Sequence, residues 1–163
     1  MKKMEDYLDD FIRPDLIAVE MAADDKEQAI RQLASMLEAQ GYVKETFIDA
    51  ILEREKVFPT GLPTEDIQVA LPHTDVEHCL KPGMAIGTLK KPVEFIEMGT
   101  LDRIVNVSMI FVLTITIPHD QVVWLARLAT LFQKPGFLMY LKQLGDAQLF
   151  SNQLIEALRM EKE

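Results

Sequence analysis

Residues 105–117 read Val-Asn-Val-Ser-Met-Ile-Phe-Val-Leu-Thr-Ile-Thr-Ile, which is the strongest strand pattern in the chain. Every odd position is apolar, the period-two alternation of a strand with one buried face. The central even positions, Ile110 and Val112, are apolar too, which predicts a strand that is buried on both faces at its centre. Such a strand needs helices on each side of its sheet. The stretch therefore predicts an α/β fold with three layers, a β-sheet flanked by helices.

Four other segments carry strand patterns, and they lie upstream of this strand. They are residues 16–19, 68–71, 84–89 and 93–95. The last two are close enough in sequence to pair as an antiparallel hairpin, whereas strands joined through a helix are usually parallel. We therefore expect the central sheet to be mixed.

Apolar residues at helical spacing fill the segments between these strands. For the first long helix, Asp24 is the predicted N-cap because Glu27 follows three residues later, and Gly41 supplies the C-terminal stop. The other predicted helical segments are a short helix or turn at 4–14 and helices at 45–56, 122–132, 137–144 and 147–158, with Asp146 capping the last. Strands that alternate with helices in this way indicate an α/β layered domain.

Composition limits the classes of function. The chain has 163 residues, 48% of them hydrophobic, which suits a single domain over residues 1–163 with a proper core. The formal net charge of −9 argues against nucleic acid as a partner and favours a protein with a basic rim. We expect no membrane insertion, since no apolar run is long enough to span a bilayer. The acidic N-terminus does not resemble a signal peptide, and the single cysteine, Cys79, fits a cytoplasmic location.

The two sharpest strands end in the same way, with an apolar residue, a proline and a histidine. The histidines are His73 and His119. Ligands of open α/β sheets bind outside the carboxyl ends of the strands, so both imidazoles share one crevice if the strands are parallel neighbours. His119 would then lie beside a helix N-terminus, which favours an anion. Arg54, near the end of helix 45–56, is placed to reach the same crevice.

These residue types suit the transfer of a phosphoryl group. A neutral imidazole, with an ordinary pKa near 6.5, is a good nucleophile, and His73 is the predicted one. Phosphoryl transfer needs alignment and neutralisation of the phosphate oxygens, which the guanidinium of Arg54 can supply in a bidentate way. His119 could donate a ring N–H, and Thr60 with its neighbouring loop amides could add neutral donors. The chain has no nucleotide-binding motif, so we expect a protein phosphoryl donor and no cofactor.

Each residue also has a simpler interpretation when it is taken alone. His73 could be a loop histidine and His119 a surface residue at a helix start. Arg54 could be a solvated charge on a helix face, and Thr60 part of a turn. The paired Pro-His endings favour the joint hypothesis over these separate interpretations.

A rival constellation of possible metal ligands follows the first strand ending. Its members are His73, Asp75, Glu77, His78 and Cys79. Histidines five residues apart do not share a helix face, and no CxxC pair accompanies them. We therefore keep metal binding only as an alternative and predict no metal site.

The run from Arg54 to His73 resembles the active-site signature of a known family. Its parts are Arg-Glu-Lys, Pro-Thr-Gly-Leu-Pro and Val-Ala-Leu-Pro-His. Over about residues 12–158 the chain resembles the type-2, fructose/mannitol-class EIIA component of the bacterial sugar phosphotransferase system (PTS). Residues 74–78 and 91–99 look most like its galactitol-type branch.

The resemblance implies an α/β sandwich around a mixed sheet and a phosphotransferase that relays phosphate between proteins. The phosphorylated position matches His73, the second active-site histidine matches His119, and the phosphate-site arginine matches Arg54. The donor would be the histidine phosphocarrier protein. The acceptor would be a cysteine of a IIB component, which works with a IIC membrane partner during uptake of a hexitol such as galactitol. The alternative is a regulatory module of the same fold that is not coupled to transport.

Overall fold

The computed structural model describes residues 7–161. Its strands are β1 (Ile17–Met21), β2 (Gly61–Leu62), β3 (Gln68–Ala70), β4 (Gly83–Ile96) and β5 (Ile104–Thr114). They form one sheet in the order β1-β4-β5-β3-β2. The β1–β4 and β3–β5 pairs are parallel, and the β4–β5 and β2–β3 pairs are antiparallel. The sheet is therefore mixed, as predicted.

Within residues 7–161, six α-helices accompany the sheet. They are α1 (Leu8–Phe11), α2 (Lys26–Ala39), α3 (Phe47–Val57), α4 (Pro118–Phe132), α5 (Phe137–Gln143) and α6 (Ala147–Met160). In the predicted first segment, residues 8–11 are helical, whereas residues 4–6 lie outside the described residues. Within the described part of the chain, no helix has both the length and the apolar character needed to cross a membrane.

Two long helices begin at side-chain caps. The N-cap of α2 is Asp25, whose carboxylate accepts from the N–H of Gln28 at 2.9 Å. The predicted cap, Asp24, is wrong by one residue, because its carboxylate meets the side-chain amide of Gln28 at 3.4 Å and not a backbone N–H of the helix. Asp146 caps α6 as predicted. Gly41, at φ +80°, ends α2 in the left-handed region that glycine adopts without strain.

Two apolar clusters lie on opposite faces of the sheet, and β5 contributes to both. On one face its side chains pack with those of α4 and α6, and on the other with those of α2 and α3. The first cluster includes Met109, Phe111, Leu113, Trp124 and Phe150, and the second includes Val107, Ile110, Val112, Ile30 and Phe47. The three-layer α/β fold expected from residues 105–117 is confirmed.

The predicted hairpin between residues 84–89 and 93–95 is wrong. Both segments belong to one strand, β4, which pairs with β5 on either side of a register shift between Thr88 and Val93. Pro92, which has no N–H to donate to the ladder, falls inside this bulge and is exposed. The residues that look like a turn in the sequence therefore form a bulge within one continuous strand.

The end of β5 also differs from the prediction. The strand stops at Thr114, and Pro118 begins α4 four residues earlier than the predicted helix start. A proline at the first helical position loses nothing, because its missing N–H would have no partner inside the helix. His119 therefore lies within the first turn of α4 and not before it.

Candidate active site

The pairing of β3 with β5 places His73 at the carboxyl end of β3. The two strands are parallel neighbours, which was the condition stated for a shared crevice. The pairing continues past β3, because the N–H of Leu113 donates to Pro72 O at 3.1 Å and His73 forms a bridge with Leu113. His73 is thus held by the sheet and is not part of a free loop.

The hydrogen bond of His73 fixes its tautomer. Nδ1 lies 2.8 Å from Leu71 O, and a carbonyl oxygen can only accept, so Nδ1 carries the proton and Nε2 keeps its lone pair. Only 7% of the residue is exposed. Burial lowers the pKa of His73 from its ordinary value and the positive charge of Arg54 lowers it further, while the Leu71 hydrogen bond and Asp75 oppose this. The result is a neutral imidazole with Nε2 available as a nucleophile.

Arg54 lies in the last turn of α3 and carries a donor without a partner. Its Nη1 is 3.4 Å from Asp75 Oδ1, and its guanidinium carbon lies 5.0 Å from the ring centroid of Phe58. Its Nε is buried and has no hydrogen-bond partner among residues 7–161. A buried donor left unpaired is costly, which favours a site that an anion completes. Arg54 also lies near the His73 segment, because it pairs with Asp75, two residues after His73, and its positive charge lowers the pKa of His73.

Thr60, a predicted phosphate contact, gives both of its donors to a carboxylate. Its N–H and its hydroxyl donate to Glu55 Oε2 and Oε1, each at 2.8 Å. Both residues are buried, and burial raises the pKa of Glu55 to about 7 although the Thr60 hydrogen bonds act in the opposite direction. The sequence signal that could have found Glu55 is its spacing, because it follows the buried Phe47 and Ile51 at four-residue steps.

His119 is exposed in the first turn of α4. Gln121, two residues further on, donates from Nε2 to Thr74 O at 2.8 Å and so joins this turn to the residue after His73. Among residues 7–161 no hydrogen bond links the two imidazoles. The helix start that carries His119 therefore lies next to the His73 segment, while a role for His119 itself stays a prediction. Sequence reasoning missed Gln121.

Two side chains of the rival metal constellation have partners outside it. His78 Nδ1 lies 2.8 Å from Thr46 Oγ1, and Asp75 pairs with Arg54. Cys79 is buried, and burial raises the pKa of its thiol. Across residues 7–161 there is no group of three or more His, Cys, Asp or Glu residues arranged to hold a metal ion.

Residues 10–157 match the family model of the phosphoenolpyruvate-dependent sugar phosphotransferase system, EIIA 2. The chain belongs to this family. The match confirms the resemblance of the Arg54–His73 run and identifies the chain as a phosphotransferase of that system.

Relatives of this type-2 EIIA chain include proteins of known specificity and a solved complex. The galactitol-specific EIIA component of the PTS of Escherichia coli K12 is 27% identical over 125 residues, covering 77% of this chain and 83% of that protein. The IIA chain in the complex of enzyme IIAMTL and phosphorylated enzyme IIBMTL from Escherichia coli is 25% identical. It aligns at a TM-score of 0.70 over 91% of this chain and 97% of that one. The α/β type-2 IIA fold is thereby confirmed.

A regulator also contains a similar segment. The transcriptional regulator ManR of Bacillus subtilis is 27% identical over 144 residues, which cover 86% of this chain but only 20% of the regulator. This type of domain is therefore found within longer proteins of a different class.

Proposed function

We propose that this chain is a IIA component that accepts a phosphoryl group on His73 from the histidine phosphocarrier protein. It then passes the group to a cysteine of a IIB component during uptake of a hexitol, with galactitol as the type substrate. The observation that carries the proposal is the His73 imidazole, whose Nδ1–H is bound to Leu71 O while Nε2 remains free. Arg54 beside it has a buried donor without a partner.

The phosphoryl group is transferred in two steps. In the first, the lone pair of His73 Nε2 attacks the phosphorus of the donor phosphohistidine, an N–P bond forms, and the bond to the donor imidazole breaks with its electron pair. The phosphorylated ring then has Nδ1–H and Nε2–P, and Leu71 O stabilises its positive charge through the Nδ1–H. In the second, a IIB thiolate attacks phosphorus and His73 leaves as a neutral imidazole.

Positive charge and donors near His73 would stabilise the transferring group. Arg54 presents its unpaired Nε, and the Nη1 that now contacts Asp75 can turn to a phosphate oxygen. We propose that His119 adds a ring N–H from the first turn of α4. Thr60, whose N–H and hydroxyl both bind Glu55, serves the proposed site indirectly, through the loop that follows α3.

Exposed apolar side chains support protein partners for both steps. Val57 and Phe58 follow Arg54 and are 67% and 59% exposed, and Val122, in the first turns of α4, is 68% exposed. The net charge of −9 suits partners with basic rims. The solved complex of a similar IIA chain with a phosphorylated IIB supports the IIB acceptor. A relay of this kind works in the cytoplasm beside a IIC membrane component, which would select the sugar.

The experiment that tests the proposal is intact-mass analysis after incubation with enzyme I, the histidine phosphocarrier protein and phosphoenolpyruvate. We expect one acid-labile phosphate on the wild type and on the control His78→Ala, and none on His73→Ala. Absence of phosphate on the wild type would contradict the proposal. Transfer from the labelled protein to a purified galactitol-type IIB, but not to its cysteine-to-serine variant, would establish the second step.

A second candidate function is a phosphorylation-dependent regulatory module, favoured by the similarity to part of ManR. The two functions differ in the second step. A regulatory module would keep its phosphate in the presence of IIB and change its affinity for a regulator instead. Rapid loss of the phosphate to IIB favours transport.

A further inference from the structure

Glu55 is a buried carboxylate that the proposed phosphoryl chemistry does not use. Only 3% of the residue is exposed, although it lies one position after Arg54 on α3. Both carboxylate oxygens accept from Thr60, one from the backbone N–H and one from the hydroxyl. A buried carboxylate costs free energy that an apolar residue would avoid, so the position needs a reason beyond packing.

A continuous set of hydrogen bonds leads from Glu55 to the nucleophile. Glu55 holds Thr60, and the carbonyl oxygen of Thr60 accepts from the N–H of Leu71 at 3.3 Å. The carbonyl oxygen of Leu71 in turn accepts from His73 Nδ1 at 2.8 Å. The N–H of Leu71 is thus held by the Thr60 loop, and the carbonyl oxygen of Leu71 holds the His73 imidazole.

The loop runs into β2, and the ladder with β3 holds that end through the pairs Gly61–Ala70 and Leu62–Val69. It packs closely where Gly61 passes β4, since a Cβ at this position would lie 2.7 Å from Ile96 O. Gly61 O also accepts from the N–H of Met98 at 2.7 Å. These contacts hold the far side of the loop, whereas the side facing α3 is held by Glu55.

We propose that Glu55 is a positioning residue for phosphoryl transfer, which clamps Thr60 and thereby holds Leu71 O where it orients His73. The inference rests on the proposed function of His73. It adds a residue that never touches the phosphoryl group but sets the geometry of the nucleophile. Small errors in such a geometry have large effects on rate.

The test compares variants that break the clamp with variants that keep it. Glu55→Ala removes both acceptors, and Thr60→Val removes one donor at nearly constant volume. Glu55→Gln can still accept from the Thr60 N–H and donate to its hydroxyl, and Thr60→Ser keeps both donors. We expect the first two to lower kcat for phosphorylation by the phosphorylated histidine phosphocarrier protein about 10-fold, with KM within about 2-fold, and the last two to retain the wild-type rate.

A spectroscopic readout reports the imidazole without any turnover. In nitrogen-15 spectra of histidine-labelled protein, we expect wild type, Glu55→Gln and Thr60→Ser to show one His73 tautomer with Nδ1 protonated. Glu55→Ala and Thr60→Val should show a mixture of the two tautomers. This measurement needs neither donor nor acceptor protein.

Two control variants on α3 distinguish a positioning effect of Glu55 from a general loss of helix stability. Glu53→Gln removes an exposed carboxylate whose partner is Lys56 at 2.9 Å. Ile51→Val trims a buried side chain one turn before Glu55 and leaves Thr60 untouched. Both should keep the wild-type kcat and His73 tautomer.

Wild-type kcat and a single tautomer in Glu55→Ala and Thr60→Val would overturn the proposal. Equal loss of kcat in Ile51→Val would do the same, because the effect would then be one of helix stability. If the wild type accepts no phosphate, the proposed relay fails, and the tautomer spectra still decide whether Glu55 orients His73.

Discussion

The chain carries the same apolar-Pro-His ending twice, and the two copies fold differently. In the first, β5 extends beside the chain, so the N–H of Leu113 pairs with Pro72 O and His73 stays extended and buried. In the second, β4 begins at Gly83 opposite Thr114, so the ladder ends there. Pro118 then starts a helix, and His119 becomes an exposed residue of its first turn.

The neighbouring strand, and not the tripeptide, therefore decides the conformation and burial of each histidine. Proline has no N–H to donate, so it is compatible with the end of a ladder and with the first position of a helix. The sheet holds His73 in one tautomer and removes it from water, which suits the nucleophile proposed above. Exposure leaves His119 able to meet a group that a partner protein brings.

The strongest test of this comparison replaces the buried histidine. We expect His73→Gln to abolish phosphorylation completely, because the amide has no nucleophilic nitrogen lone pair, while His119→Gln still accepts one phosphate. Intact-mass analysis in the presence of the phosphorylated carrier protein measures both. Phosphate on His73→Gln, or none on His119→Gln, would reverse the assigned roles.

The dependence of the free energy of unfolding on pH tests how burial changes the pKa values of ionisable groups near this site. The native pKa of Glu55 is about 7 against an ordinary 4.5, so between these values the unfolded chain loses a proton that the folded chain keeps. The free energy of unfolding should therefore fall as pH rises through this window, by at most about 3 kcal/mol.

His73 acts with the opposite sign. Its native pKa lies below the ordinary 6.5, so below pH 6.5 the unfolded chain takes up a proton before the folded one does. Its contribution to stability is present above pH 6.5 and is lost as pH falls toward the lowered native pKa. Urea denaturation from pH 4.5 to 8 measures both effects. In Glu55→Gln the free energy of unfolding should no longer fall as pH rises, and in His73→Gln it should no longer fall as pH drops below 6.5. Curves parallel to the wild type would contradict both assignments.

Arg54 is the cation proposed to assist transfer at the buried histidine. Arg54→Lys should reduce the rate of phosphorylation about 10–100-fold, because a point charge replaces a planar fork that can bind two phosphate oxygens. Rapid-quench measurements with the phosphorylated carrier protein give this rate. Arg31→Lys, on the exposed face of α2, is the matched control and should be unchanged. Wild-type kinetics in Arg54→Lys would remove Arg54 from the transfer step.

A smaller effect is expected at the exposed histidine. His119→Ala should slow transfer about 10-fold, the low end for the loss of one hydrogen bond to a charged group, and leave His73 modifiable. His78→Ala, which alters a histidine bound to Thr46, is the control. If both transfer steps keep their wild-type rates in His119→Ala, then the exposed copy of the motif has no part in the site.

Much of the fold was predictable because it depends on local pattern. Residues 105–117 alternate, and their apolar centre correctly predicted a sheet between two helical layers. The repeated Pro-His ending indicated a shared crevice only if its two strands were parallel neighbours, and β3 and β5 meet that condition. The layered fold itself arises from periodicity, which the sequence carries directly.

What sequence could not predict depends on contacts between distant residues. Lys90, Lys91 and Pro92 resemble a turn, and only pairing with β5 shows that they form a bulge within one strand. The four-residue spacing of Glu55 from the apolar positions of α3 indicates that it is buried, but nothing in the sequence indicates its hydrogen bond to Thr60. Gln121 contacts the backbone of Thr74, 47 residues away, and nothing in its local sequence indicates this partner.

Gln121 provides the last and smallest test, because it joins the two copies of the motif. Its amide donates to Thr74 O at 2.8 Å, so it ties the helix start that carries His119 to the residue after His73. Gln121→Ala removes one neutral hydrogen bond, worth about 1 kcal/mol, and should slow phosphorylation about 3-fold by loosening the position of His119. In the double variant with His119→Ala, the Gln121 change should add no further loss, because the helix start would no longer carry a group to position. Independent, additive losses in that double-variant cycle would show that Gln121 acts on His73 directly and that the exposed histidine is not held by this contact.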